Sequence, residues 1–321
     1  MKAAQVRSLT GPDGVEVVDV AEPQPGEHVI IEVKAAGISF PDLMLSHGTY
    51  QLKPPPPFTL GVEAAGVVRY APAGSAFREG DAVAAFGLGG CAELMESPMV
   101  FPLPEPLDFA QGAGLIMNYH TAHFALVRRA NVQQAETVLV LGAAGGIGTA
   151  ALQVAKALGT RTIAAVSSAE KEVVARAAGA DEVVRTDEAW GDAVMALTQD
   201  KGADVIIDPV GGSDDQLRAT LRCLAPEGRL VVIGFAAGHI PSIGLNRLLF
   251  RNVSILGAAW GAFAFGRPDY LHEVAIDLDK MANQGFVKPL IGKQYTIEQV
   301  PEALRDLEQR RATGKLVMIN G

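Results

Sequence analysis

Cysteine is scarce: Cys91 and Cys223 are the only two in 321 residues, they lie far apart, and no CxxC pair occurs. That excludes a disulfide framework and a four-thiolate structural zinc site, and leaves both as small residues expected to be buried. Long apolar runs are also missing. The two richest stretches, Val138 to Leu152 and Ser254 to Gly266, fall short of the roughly 20 residues a membrane span needs and are broken by glycines. Basic blocks are missing too: 27 Lys and Arg stand against 36 Asp and Glu, for a net charge of −9. Nucleic acids and anionic membranes select clustered cations, so neither is an expected partner. The opening segment MKAAQVRSLTGPDG has no apolar core of the kind a secretory leader carries, and a cytoplasmic location is the expectation. No Ser, His and Asp set has the spacing of a hydrolase motif.

What is present suits two domains, since the length exceeds that of a typical single domain and 49% of the residues are hydrophobic. Up to about residue 122 the chain carries short β-type runs, VEVVDV, HVIIEVKAAG, EAAGVVRYA and DAVAAFG, separated by Gly and Pro clusters. This is the texture of a compact all-β barrel. Four consecutive prolines between Lys53 and Phe58 offer no backbone donors, so that strip is expected to be an exposed loop. From residue 123 the pattern changes to ETVLVLG, TRTIAAVS, DEVVRT, ADVIIDPV, GRLVVIGF and NVSILGAA with helical segments between them. Continuous apolar runs alternating with helices mark parallel strands covered on both faces, a doubly wound α/β domain over 123–260. In its first helix Ile147, Ala151, Val154 and Leu158 form one apolar stripe, with Gln153 and Lys156 expected to face away. The tail over 261–321, two helices and the strand KLVMIN, is too small for a third domain and is expected to return to the first.

The segment VLVLGAAGGIGTAALQVAKALG sets Gly142, Gly145, Gly146 and Gly148 between a strand and a helix. A pyrophosphate needs that arrangement, because glycines permit a tight turn and close backbone approach while amides at the helix start face the anion. Ala143 stands where the first glycine of GxGxxG would be, yet strand, turn, helix and next strand occur in order. An NAD enzyme usually offers a carboxylate about 20 residues on, at the end of the second strand. Here Ser167 and Ser168 stand there, leaving room for a 2′-phosphate, with Lys171 as countercharge. The expected cofactor is NADPH. Helix capping by Ser168 with a solvated Lys171 is the competing reading.

The motifs AAGISFPDLMLSHGTYQ, LGVEAAGVV, the glycine turn, DPVGG, GFAAG and ATGKLVM together resemble the medium-chain dehydrogenase/reductase superfamily, in its zinc-free quinone oxidoreductase branch related to zeta-crystallin. The resemblance covers nearly the whole chain and implies a GroES-like β-barrel catalytic domain, 1–122 and 261–321, beside a Rossmann domain. In the zinc enzymes of the superfamily, metal is held by a Cys and a His at the positions of Ser39 and Val62, with a further Cys near Ala113. None of these three is a metal ligand, so no metal is expected. Hydride transfer to an acceptor that needs no metal activation, a quinone or an activated C=C bond, is the implied chemistry.

By the same resemblance Ser39, Thr121, Ile147, Gly234 and Phe235 join the cofactor residues, and Arg311 approaches the phosphate bridge or ribose. Ser39 stands where the family usually has Asn. Arg185 stands near the family's adenine-covering Tyr and can reach the 2′-phosphate. Tyr50 is the candidate catalytic group, since a phenol stays protonated at neutral pH and can donate to an enolate. Asp42 and Glu63 are expected to serve structural hydrogen bonding, as is His120, for which a proton relay beside Tyr119 is the competing reading. Quinone reduction leads, enone or enoyl reduction with Tyr50 as proton donor is the alternative, and a cofactor-binding structural protein of crystallin type is the reading from another class. The apolar strand NVSILG suggests pairing of two sheet edges into a homodimer.

Overall fold

A computed structural model describes residues 1–186, 189–264 and 266–320. Contacts divide the chain into two units, Met1–Met117 with Lys288–Gly321, and Asn118–Val287. The expected boundaries at 122 and 261 therefore differ from the observed division at 117 and 287. The helix Pro268–Asn283 accounts for most of the difference. Its buried Leu271, Val274, Leu278 and Ala282 place it with the second unit, and Tyr270 packs edge-on against Phe124 at 6.3 Å.

In the second unit, six parallel strands form one sheet with Thr137–Leu141 in the middle. Arg161–Val166 and then Glu182–Arg185 extend it on one side; Ala203–Asp208, Leu224–Val232 and Ser254–Gly257 extend it on the other. Strand order thus reverses at Thr137–Leu141, the doubly wound arrangement in which a crevice opens beyond the carboxyl ends of the two central strands. Leu139, Ile163, Ile206 and Leu230 are fully buried because helices cover both faces of the sheet, which is why these strands are apolar throughout rather than alternating.

The helix Gly146–Ala157 begins directly at the end of the first strand. Its burial is wider than one stripe. Gln153 does not face solvent but is buried, accepting the Tyr119 hydroxyl at 2.8 Å, because the helical stretch over 121–129 packs on the side away from the sheet.

The first unit holds a seven-stranded sheet and a three-stranded one. The ten-residue strand Val29–Ile38 organises the larger: Glu63–Tyr70 pairs along most of it, Leu94–Ser97 along its first half and Lys315–Ile319 along its second. The carboxyl-terminal strand therefore does return to the N-terminal sheet, with Val317 opposite Gly37. In the Pro-rich strip Lys53, Pro55 and Pro57 are exposed and Pro54, Pro56 and Phe58 partly so, while Cys91 and Cys223 are both buried. Among the described residues no helix is long and apolar enough to cross a membrane.

A Cβ added at Gly148 would run into the backbone of the preceding turn, the Gly142 carbonyl oxygen and the Ala143 Cα, the latter at 2.6 Å. Backbone cannot swing aside as a flexible side chain can, so Gly148→Ala is expected to lower stability by about 1–3 kcal/mol, the usual cost of overpacking. Urea unfolding monitored by circular dichroism checks this, and an unchanged midpoint would contradict it.

Candidate active site

The strand-to-helix turn starts at Gly142, whose φ of +58° lies in the left-handed region. A side chain there would also strike Val210 Cγ2 at 2.7 Å, so the ends of Thr137–Leu141 and Ala203–Asp208 close on each other through this glycine. Gly145 precedes the helix with extended backbone and no side-chain cap. The amides of Gly146, Ile147 and Gly148 are the first of the helix and have no carbonyl one turn back to bond. A Cβ at Gly145 would have nothing nearer than the Gly142 oxygen at 3.5 Å. An uncapped helix start with an open face is the cradle a diphosphate requires, so the residues present fit a dinucleotide.

Across the strand-order reversal the turn after Ala203–Asp208 is shaped by Asp208. Its carboxylate accepts the amides of Val210 at 2.8 Å and Gly211 at 2.9 Å. Burial pushes its pKa up while those two amides pull it down, and burial wins. The next strand's end zips onto this turn, with Ala237 N donating to Val210 O at 2.8 Å, which sets Gly234 and Phe235 beside it. Phe235 is 38% exposed. Thr121 is buried in the same unit, on the helical stretch that packs against Gly146–Ala157.

At the far side of the sheet Ser168 caps the helix Ala169–Ala177 by accepting the Lys171 amide at 3.3 Å. Lys171 Nζ reaches Ser167 Oγ at 3.2 Å. Arg185 is in register with Val166, so it ends its strand beside these serines. Capping by Ser168 and a cationic end of the second strand are thus both present.

The first unit holds the other predicted residues. Ser39 is buried and its hydroxyl accepts from Lys315 Nζ at 2.5 Å and donates to Glu63 Oε1 at 3.3 Å. Lys315 and Glu63 form an ion pair with side chains 4% and 1% exposed. Glu63 also accepts the Met117 amide at 2.9 Å, and Asp42 accepts the amides of Ser39 at 2.8 Å and Gly61 at 3.1 Å. Burial raises Asp42 to about 6 against the pull of those amides and Lys315. A zinc ion does not fit here: Val62 and Ala113 offer no side-chain ligand atom, and the Ser39 oxygen already faces an ammonium ion.

Tyr50 is half-buried, and burial, then the Asp42 charge, push its phenol above the usual value. Arg311 is engaged within its own unit, pairing with the Asp306 carboxylate, which also accepts the Tyr295 hydroxyl at 2.5 Å.

His120 is deeply buried, edge-on to the Trp260 ring at 5.5 Å, and burial followed by the neighbouring His123 drops its pKa to about 3. A neutral core histidine, not a proton relay, is what that environment holds.

Lys315 belongs to the motif ATGKLVM, but its place beside Ser39 and Glu63 is not written there. The one signal in the sequence is a charge at the head of an otherwise apolar terminal strand. Removing one member of a buried ion pair leaves the other uncompensated, so Lys315→Met is expected to cost about 3–5 kcal/mol, with much of the loss recovered in the Lys315→Met, Glu63→Gln double variant. Thermal unfolding of the three proteins checks this, and equal stability of single variant and parent would refute it.

Residues 24–155 match the family described as "Alcohol dehydrogenase GroES-like domain" and residues 146–278 that described as "Zinc-binding dehydrogenase". "Quinone oxidoreductase-like protein 2" of Bos taurus is 37% identical over 99% of this chain and 92% of its own length. A Mycobacterium abscessus structure described as a "probable oxidoreductase" superposes with a TM-score of 0.91 at 42% identity, covering 100% of this chain and 99% of that one. The Escherichia coli quinone oxidoreductase, solved in complex with NADPH, superposes with a TM-score of 0.88 at 27% identity over 100% of both chains. On these likenesses, with Ser39, Val62 and Ala113 in place of metal ligands, the chain belongs to the medium-chain dehydrogenase/reductase superfamily, in its zinc-free quinone oxidoreductase branch.

Proposed function

We propose that the chain is an NADPH-dependent quinone oxidoreductase working without a metal. The observation that carries the reading is the uncapped helix start at Gly145–Gly148, set where strand order reverses. Bound NADPH supplies the hydride. The amides of Gly146, Ile147 and Gly148 would hold its diphosphate behind Gly142 and Gly145. Ser167, Ser168, Lys171 and Arg185 would hold the 2′-phosphate, and Thr121, Gly234 and Phe235 the nicotinamide end. Ser39 and Arg311 complete the cofactor set in this reading, each in the first unit and each already held there by charged neighbours. The NADPH in the Escherichia coli relative supports the choice of cofactor.

A quinone takes hydride on one oxygen and a solvent proton on the other, so no protein acid is needed. An activated C=C bond takes hydride on the β-carbon and a proton on the α-carbon. Tyr50 is the group that would supply that proton in this second reading, since a phenol is protonated at neutral pH and can donate to an enolate. The reading extends to a cytoplasmic homodimer, supported by the edge strand Ser254–Gly257 and by the exposed Leu249 and Phe250 just before it.

Steady-state oxidation of NADPH and NADH over a panel of quinones and enones tests the activity. Turnover of quinones with NADPH preferred is expected; preference for NADH would overturn the cofactor choice, and binding without turnover would favour the crystallin-type alternative. Tyr50→Phe is expected to leave quinone turnover intact and, if the second acceptor class is also used, to lower enone turnover by about tenfold or more, the low end of what a positioned proton donor contributes. Light scattering at micromolar concentration is expected to give the mass of two chains, and a monomer would refute the dimer.

A further inference from the structure

Gly146 owes its lack of a side chain to a neighbour that the glycine-turn pattern does not contain. A Cβ at Gly146 would lie 2.5 Å from Asn118 Nδ2 and 3.2 Å from its Cγ and Oδ1, so the whole carboxamide of Asn118 lies over the first residue of the helix. Asn118 is only 6% exposed. Among the described residues its side chain has no hydrogen-bond partner, in contrast to the next residue, whose hydroxyl is satisfied by Gln153. A carboxamide carries two donors and an acceptor, and here no described protein group takes them, which leaves them to solvent or a ligand. The segment Ile116–His120 that carries it is wound with the wide i to i+5 spacing found often at functional sites. Thr121, one turn on, is also buried and makes no side-chain bond among the described residues.

We infer that Asn118 is a cofactor-positioning residue whose amide N–H donates to a diphosphate oxygen of the dinucleotide held on Gly146–Gly148. This rests on the reading of that turn as a dinucleotide site and adds to it a side-chain donor. A neutral donor suits the place, because the uncapped helix start already supplies positive potential and a carboxamide adds direction without a charge to desolvate. It also gives Gly146 a purpose distinct from that of Gly148: one makes room for Asn118, the other for the turn's own backbone.

The test uses the full chain with NADPH, measuring Kd by quenching of intrinsic fluorescence and the melting temperature without ligand. For Asn118→Ala, NADPH binding is expected to weaken about tenfold, the loss of one hydrogen bond to a charged group, while the ligand-free melting temperature stays near the parent's, since the amide bonds no protein group among the described residues. Asn118→Asp keeps the size and is expected to bind NADPH more weakly than the alanine variant, because a carboxylate repels the diphosphate. A parent that binds NADPH with an alanine variant within about twofold of it would overturn the inference, since a direct hydrogen bond to an anion is worth more than that. So would a fall in ligand-free melting temperature that accounts for the lost affinity, or an aspartate variant that binds as well as the parent. A parent that does not bind NADPH at all would instead bring down the dinucleotide reading, and this inference with it.

Discussion

The close approach of backbone to backbone at Gly148 is the constraint on which the second unit depends. With the Gly142 carbonyl oxygen and the Ala143 Cα lying where a side chain would be, the helix can begin within a few residues of the strand's end and still return over the sheet. A longer connection would move the helix start away from the point where strand order reverses. The same short turn exposes amides that no side chain caps. Fold and candidate function thus draw on one steric fact, and the turn cannot be relaxed for stability without giving up the cradle.

The first unit has its own point of dependence, the buried ion pair of Lys315 and Glu63 with Ser39 between them. Two charges removed from water are expensive, and the arrangement is tolerable because Glu63 is also bonded by the Met117 amide while Asp42 nearby takes two further amides. The ammonium stands beside the residue that aligns with a metal ligand in the zinc enzymes of the superfamily.

Several elements are legible in the chain of residues alone because their causes are local. The six apolar runs of the second unit form its six parallel strands, since burial on both faces requires an apolar residue at every position. The turn from Gly142 to Gly148 is legible because only glycine meets both its positive φ and its close contacts. Local reasoning fails where a third partner intervenes. Gln153 has the helical spacing of a solvent-facing residue, and it is buried because another helix covers that side. The helix Pro268–Asn283 stands in the tail expected to return to the first domain, and its apolar face belongs instead with the second unit.

The alternation of strand and helix, the glycine turn and the serine-rich end of the second strand can be read from the chain of residues alone, because each is written in neighbours obeying short-range sterics and periodicity. Packing alone brings Lys315 to Ser39 across 276 residues of chain and Asn118 over Gly146. Such contacts are set by which strands pair and how helices stack. Neither residue sits in a motif whose spacing could announce its contacts, and a lysine in an apolar strand or an asparagine in a helix acquires its role only from what packing brings within hydrogen-bond reach.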